Sequence, residues 1–107
     1  MSIFDLFKMP DINEGIKQYE SIPNSILLDV RTKEEYLDGH IDGSINIPLD
    51  NLREVENVIK NKSTPIFVHC LSGSRSSSAV KGLQMIGYTN VTNIGGIAGY
   101  RGKVVRG

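Results

Sequence analysis

Pro65-Ile66-Phe67-Val68-His69-Cys70 is followed by Leu71-Ser72-Gly73-Ser74-Arg75-Ser76 and then by a helix-like run from Ser77 to Ile86. An apolar run thus breaks into a small polar loop and re-emerges as a helix, the repeating unit of α/β proteins. Cys70 is the only cysteine of the chain and stands where the apolar run ends. A thiolate, rather than a thiol, is the nucleophile, and free cysteine ionises near pH ~8.5. Three features here lower that value. Successive backbone N–H groups wrapped around one point form an anion-binding nest, and the following helix turns its positive dipole end toward the sulfur. Arg75 adds a full charge if its side chain folds back. Gly73 permits the tight turn because it tolerates positive φ. The small side chains of Ser72, Ser74 and Ser76 leave loop amides open to a ligand, while Leu71 shapes the mouth. Free cysteine is often just a small buried hydrophobe, but the glycine, serines and arginine after it point to a reactive thiolate.

Outward from this unit, strand-like and helix-like segments alternate. Asp11 caps a first helix with Ile12, Ile16 and Tyr19 at helical spacing. Ile26 to Val30 is a short apolar run, as expected of a strand buried on both faces. Thr32 and Glu35 form a capping-box pattern for a short helix ended by Gly39. Ser44 to Ile47 is a brief strand stopped by Pro48, and Asp50 then caps a helix carrying Leu52, Val55 and Ile59. Ala79, Val80, Leu83 and Ile86 form the inner stripe of the helix after Cys70, and Val91 to Ile94 is a last strand. These segments predict a single domain over 1–107, an α/β fold whose central parallel sheet has helices on both faces. Ligands of such sheets bind beyond the carboxyl ends of the strands, which is where Cys70 lies.

Twelve basic and twelve acidic residues cancel, so no global field recruits nucleic acid or an anionic membrane. The apolar runs fall far short of the ~20 residues that span a bilayer. Asp5 and Lys8 interrupt Met1 to Met9, so no secretory h-region is expected there. One cysteine forms no intrachain disulfide, which suits a reducing, cytoplasmic setting. Ile3, Phe4, Leu6 and Phe7 are expected to cover the sheet or first helix, or to form a dimer contact, so monomer and weak homodimer both stay open.

Other chemically capable residues fit structural duty. His69 neighbours Cys70 on a strand and so points to the opposite face; it is expected to be packed or hydrogen-bonded. His40 lies in a turn and bonds to backbone. Two histidines and one cysteine at no ligand-like spacing leave no metal site. Arg31 pairs with Glu35 or Glu34, and Asp29 bonds nearby N–H groups. Ser74, Ser76 and Ser77 are candidate helix caps. Gly95-Gly96 forms a tight turn near the cysteine loop. Arg101, Lys103 and Arg106 make a basic tail, either a solvated face or an attractor of an anionic donor.

Cys70-Leu71-Ser72-Gly73-Ser74-Arg75-Ser76 resembles the Cys-x-x-Gly-x-Arg active-site loop of rhodanese-like sulfurtransferases. Leu28-Asp29-Val30-Arg31, Glu34-Glu35-Tyr36, Gly39-His40-Ile41 and Gly43-Ser44-Ile45-Asn46-Ile47-Pro48 are similar to that family's upstream segment. Gly87-Tyr88, Asn90-Val91 and Gly95-Gly96 are similar to its downstream end. The likeness runs from about Ile26 to Tyr100, with one departure: the family often has tryptophan after the double glycine, and here Tyr100 is nearest. The resemblance implies a single rhodanese-like domain with a central parallel sheet of about five strands. It also implies transfer of a sulfane sulfur from a donor such as thiosulfate to a cyanide, thiol or protein acceptor, through a persulfide on Cys70. Arg75 would stabilise the anion, Leu71, Ser72, Gly73, Ser74 and Ser76 would supply the loop amides, and no cofactor is needed. Two rival readings fit the same residues. One is a binding or regulatory module that does not turn over. The other is a cysteine-dependent phosphatase or arsenate reductase, whose sites resemble Cys-x5-Arg; here Arg75 comes one residue too early.

Overall fold

The computed structural model describes residues 10–107, so the apolar segment Ile3 to Phe7 lies outside the described residues. Asp11 caps α1 (Ile12–Ser21) as expected, its carboxylate accepting the Asn13 amide at 2.9 Å. After β1 (Ile26–Asp29), the Thr32–Glu35 capping box closes on both sides and opens α2 (Lys33–Asp38). β2 (His40–Ile41) and β3 (Ile45–Asn46) follow. The segment after Pro48 differs from expectation. Asp50 caps nothing; a 3-10 helix, Leu49–Glu54, starts behind Pro48 and breaks at Asn51 before α3 (Val55–Val58). Proline, with φ pre-set near the helical value, takes the boundary that Asp50 was expected to hold.

β4 (Ile66–Cys70), α4 (Ser74–Ile86) and β5 (Val91–Gly96) complete the main body. Among the described residues the parallel sheet has four strands rather than about five, in the order β3-β1-β4-β5. The remaining pairing is separate: β6 (Val104–Val105) runs antiparallel to β2. Two-residue strands carry no readable alternation, which is why the sequence offers no sign of this pair.

Side-chain alternation along the central strands divides the core. Leu28, Ile66, Val68 and Cys70 face α4 and pack with Val55, Ala79, Leu83 and Tyr88. Leu27 and Phe67 face α1 and pack with Ile12, Ile16, Ile41 and Ile94. Sheet order and two-sided burial fix the carboxyl end of β4 at the centre of the upper edge, and truncating Leu83 to alanine should cost about 2–5 kcal/mol. The 13-residue helix α4 begins at Ser74, three residues before the expected Ser77, because Gly73 at φ 107° ends the loop in a conformation other residues rarely adopt. Arg75 and Ser76 are therefore helical residues.

Candidate active site

Cys70 ends β4, and the chain curls through Leu71, Ser72 and Gly73 straight into the amino end of α4. The curl brings the Gly73 N–H to 3.0 Å from Cys70 Sγ, donating to it, and the Ser76 hydroxyl to 3.5 Å. Burial is the largest single influence on the thiol and pushes its pKa up. The Ser76 hydroxyl and the amides of Ser76, Gly73 and Ser72 together outweigh it, and the thiol lies below its ordinary value. Of the loop amides expected to form a nest, those of Ser72, Gly73 and Ser76 turn to the sulfur. Cys70 itself has no exposed surface; Leu71, Ser72 and Ser74 are the exposed residues around it. The expected capping by serine does not occur, since Gly73 is the N-cap and no side chain caps the helix.

Ser76 has one hydroxyl proton and four neighbours that could accept it. Its oxygen lies 2.7 Å from Asn93 Oδ1, 3.0 Å from the Gly73 carbonyl, 3.4 Å from that of Gly95 and 3.5 Å from the sulfur. When Cys70 is a thiol, S–H donates to Ser76 and Ser76 donates to Asn93. Once the thiol ionises, the hydroxyl can turn to the sulfur. Asn93 tolerates that loss, because the Gly95 N–H also donates to its Oδ1 at 2.9 Å. A bulge places this asparagine: β4 and β5 stay in step to Val68–Asn93, then His69 pairs with Gly95. Asn93 was not singled out from sequence; a polar amide inside the run Val91-Thr92-Asn93-Ile94 was the available sign.

Gly95-Gly96 does not form the expected turn but ends β5. Gly96 lies directly beneath the loop: a Cβ there would fall 2.1 Å from the Leu71 carbonyl oxygen. That same oxygen accepts the Ala98 N–H at 3.1 Å. The floor of the cysteine loop is therefore bare backbone.

Arg75 does not fold back onto the sulfur. Its guanidinium makes a two-pronged pair with Glu35, Nη1 to Oε1 at 2.7 Å and Nη2 to Oε2 at 3.0 Å. The Arg75 hydrogen bonds, outweighing partial burial, pull the Glu35 carboxyl down to about 2. Glu35 in turn raises Arg75, with a smaller contribution from the Cys70 charge. Glu35 is thus taken by Arg75, and Arg31 pairs instead with Asp29 at 2.8 Å, both of them buried. Asp29 also accepts the Arg31 N–H at 3.0 Å, the backbone bond expected of it.

His69 faces away from Cys70, as alternation requires. Nδ1 is 3.2 Å from the Cys70 carbonyl, so it carries the proton there. Nε2 then has only lone-pair capacity, lies 3.8 Å from Asp29 Oδ2 and finds no donor. Desolvation is the main cause of its lowered pKa, and the ring stays neutral. His40 accepts its expected structural part, with Nδ1 2.8 Å from the Tyr36 carbonyl and its ring stacked on Tyr36 at 3.7 Å. Of the basic tail, Arg101 lies against the first turn of α1, its N–H bonded to Asn13 and its charge felt by Asp11.

This geometry has close relatives. The Rhodanese-like domain family matches residues 11–103. The chain is 38% identical over 71 residues to the thiosulfate sulfurtransferase PspE of Escherichia coli, covering 65% of this chain and 68% of that protein. It is 40% identical over 88 residues to the adenylyltransferase and sulfurtransferase uba4 of Ogataea parapolymorpha, covering 81% of this chain but only 23% of that longer protein. A solved structure, a rhodanese with anions from E. coli, superposes with a TM-score of 0.72 at 33% identity, over 78% of this chain and 99% of its own. A buried cysteine cradled by loop amides, on this sheet and with these relatives, places the chain in the rhodanese-like domain family.

Proposed function

We propose that the protein is a rhodanese-type sulfurtransferase that carries a sulfane sulfur on Cys70. The observation that supports this best is the Gly73 N–H at 3.0 Å from Sγ, backed by Ser76, which favours the thiolate despite burial. Attack of that thiolate on the outer sulfur of thiosulfate forms a Cys70 Sγ–S bond, breaks the donor S–S bond and releases sulfite. A thiophilic acceptor (cyanide, a small thiol or a protein thiol) then takes the sulfur and regenerates the thiolate. No proton leaves carbon or oxygen in either step, so the lack of a basic partner for Cys70 is no obstacle. The chain has no second cysteine, so the acceptor comes from outside. A reducing compartment such as the cytoplasm would keep this lone thiol available.

The loop geometry also speaks against the phosphatase reading. The Gly73 amide donates to the sulfur itself, and Arg75, one residue earlier than a Cys-x5-Arg site requires, is turned away to Glu35. Intact-protein mass spectrometry after exposure to a sulfane donor tests the proposal: Cys70 should gain about 32 Da and lose it to cyanide as thiocyanate. A Cys70→Ser protein that still transfers sulfur would refute the assignment, and an unmodified wild-type protein would indicate a binding module.

A further inference from the structure

The charges around the Cys70 loop bear on which donor it accepts. Arg75 is the one cation of the loop, and both its nitrogens at the fork tip are held by Glu35. Glu35 is in turn fixed by the Thr32 N–H and hydroxyl, each at 3.1 Å, through the capping box of α2. The arginine is therefore matched by a carboxylate that stays ionised at any working pH. Beside it, a recess of about 70 Å³ is lined by Val30, Thr32, Pro48, Leu49, Asp50 and Arg75. Asp50 is exposed there and adds a second acid. Counting Arg75, Glu35 and Asp50, this flank carries one net negative charge, and the Cys70 charge is felt at Arg75.

Thiosulfate brings two negative charges to that thiolate and leaves as the sulfite dianion. An uncompensated cation would offset the repulsion, and Glu35 removes the candidate. We propose that Glu35, by holding Arg75, sets the donor class of this site: it disfavours thiosulfate and selects the hydropersulfide of a thiol, R–S–SH. The proposal rests on the sulfur-transfer reading and narrows it. The Cys70 thiolate attacks the terminal sulfur of R–S–SH, an Sγ–S bond forms, the donor's S–S bond breaks, and R–S⁻ departs with the electron pair. The proton stays on the transferred sulfur, giving Cys70–S–SH, and no oxidant or reductant is consumed. One negative charge enters the step and one leaves it. Apolar Val30, Pro48 and Leu49 suit the carbon part of such a donor. Glu35 acts through Arg75, as a positioning residue.

The test compares thiosulfate with cysteine hydropersulfide as donors to the full chain, with loading of Cys70 followed by mass and cyanide as common acceptor. Wild type should show the higher kcat/KM with the hydropersulfide, and its thiosulfate rate should not fall as ionic strength rises. Glu35→Gln keeps an oxygen for the capping box but frees Arg75. The ratio of the two kcat/KM values should then shift toward thiosulfate by about fivefold, the effect of one partly screened charge, and its thiosulfate rate should become salt-sensitive. Should the variant fail to fold, the wild-type donor preference and salt profile decide alone. A wild type that prefers thiosulfate, or a folded variant with an unchanged ratio, overturns the proposal while leaving sulfur transfer standing. No loading from either donor overturns both.

Discussion

Replacing Gly96 by alanine isolates what the backbone floor does for the cysteine loop. The residue has φ −122° and ψ 139°, a region open to alanine, so the substitution brings no dihedral strain. Its cost is contact alone. The added Cβ would lie 2.1 Å from the Leu71 carbonyl oxygen and 2.6 Å from both the Leu71 carbonyl carbon and Ser72 Cα. All three are main-chain atoms that cannot rotate aside. Ordinary contact begins at 3.4 Å, so the Leu71–Ser72 backbone must retreat by 1.3 Å, the difference between that spacing and the present one. Retreat also stretches the Ala98 N–H bond to Leu71 and draws the Ser72 and Gly73 amides off the sulfur.

A misplacement of about 1 Å costs on the order of 10²-fold in rate, whereas overpacking costs about 1–3 kcal/mol of stability. Gly96→Ala should therefore fold but load sulfur onto Cys70 about a hundredfold more slowly, with an alkylation midpoint moved to higher pH. Gly99→Ala is the control, because a Cβ there meets nothing within 4 Å and loading should stay at the wild-type rate. Pseudo-first-order loading rates by intact mass, beside urea titrations, measure both quantities. A Gly96→Ala protein that loads at the wild-type rate would show that loop position does not govern reactivity, and equal losses in both variants would trace the effect to glycine flexibility.

Two other outcomes follow from the site. Removing the Ser76 hydroxyl deletes a hydrogen bond to a charged group, worth about 1.5–3 kcal/mol, and one pKa unit is about 1.36 kcal/mol. Ser76→Ala should thus raise the pH midpoint of iodoacetamide alkylation by one to two units, and Asn93→Ala should raise it less; a midpoint that stays put or falls contradicts the relay. Desolvation holds the His69 pKa below its ordinary value of 6.5. Its stabilising contribution is complete above the unfolded pKa and drains away as pH falls below it, since the unfolded chain then binds the extra proton. Urea unfolding should show wild-type stability falling below about pH 6.5, with a flatter decline in His69→Phe; parallel declines would remove His69 from the account.

Much of this architecture is visible in the linear chain, for identifiable reasons. The runs at Ile26 and Ile66 are short and apolar because a parallel sheet covered on both faces needs them so, and each became a strand. Asp11 and the Thr32–Glu35 pair announced two helix starts because capping is local chemistry that needs no tertiary partner. Cys70 was legible for the same reason, since glycine and small serines between a strand and a helix can only make a tight loop. The failures share a cause too. The two-residue strands β2 and β6 have no periodicity of their own and exist only because the chain after Tyr100 folds back to His40. Asp50 is a good capping residue displaced by Pro48 at its side.

Charge partners were the least legible feature. Arg75 and Glu35 are 40 positions apart, and nothing in either neighbourhood names the other. Arg31 stood nearer in sequence and was the natural partner for Glu35, yet Asp29 lies two residues before it on the same strand end and takes it with three side-chain contacts between 2.8 and 3.1 Å. That local capture leaves Glu35 free on the outer side of α2, where the capping box already aims its carboxylate. The first turn of α4 then brings Arg75 to it across the upper edge of the sheet. The Arg75–Glu35 pair thus reflects a competition between two arginines for two acids, in which the local Asp29–Arg31 pair leaves Glu35 to Arg75. Exchanging Asp29 for asparagine would leave Arg31 buried with one fewer compensating charge, so loss of that pair should destabilise the chain even where the Arg75–Glu35 contact survives.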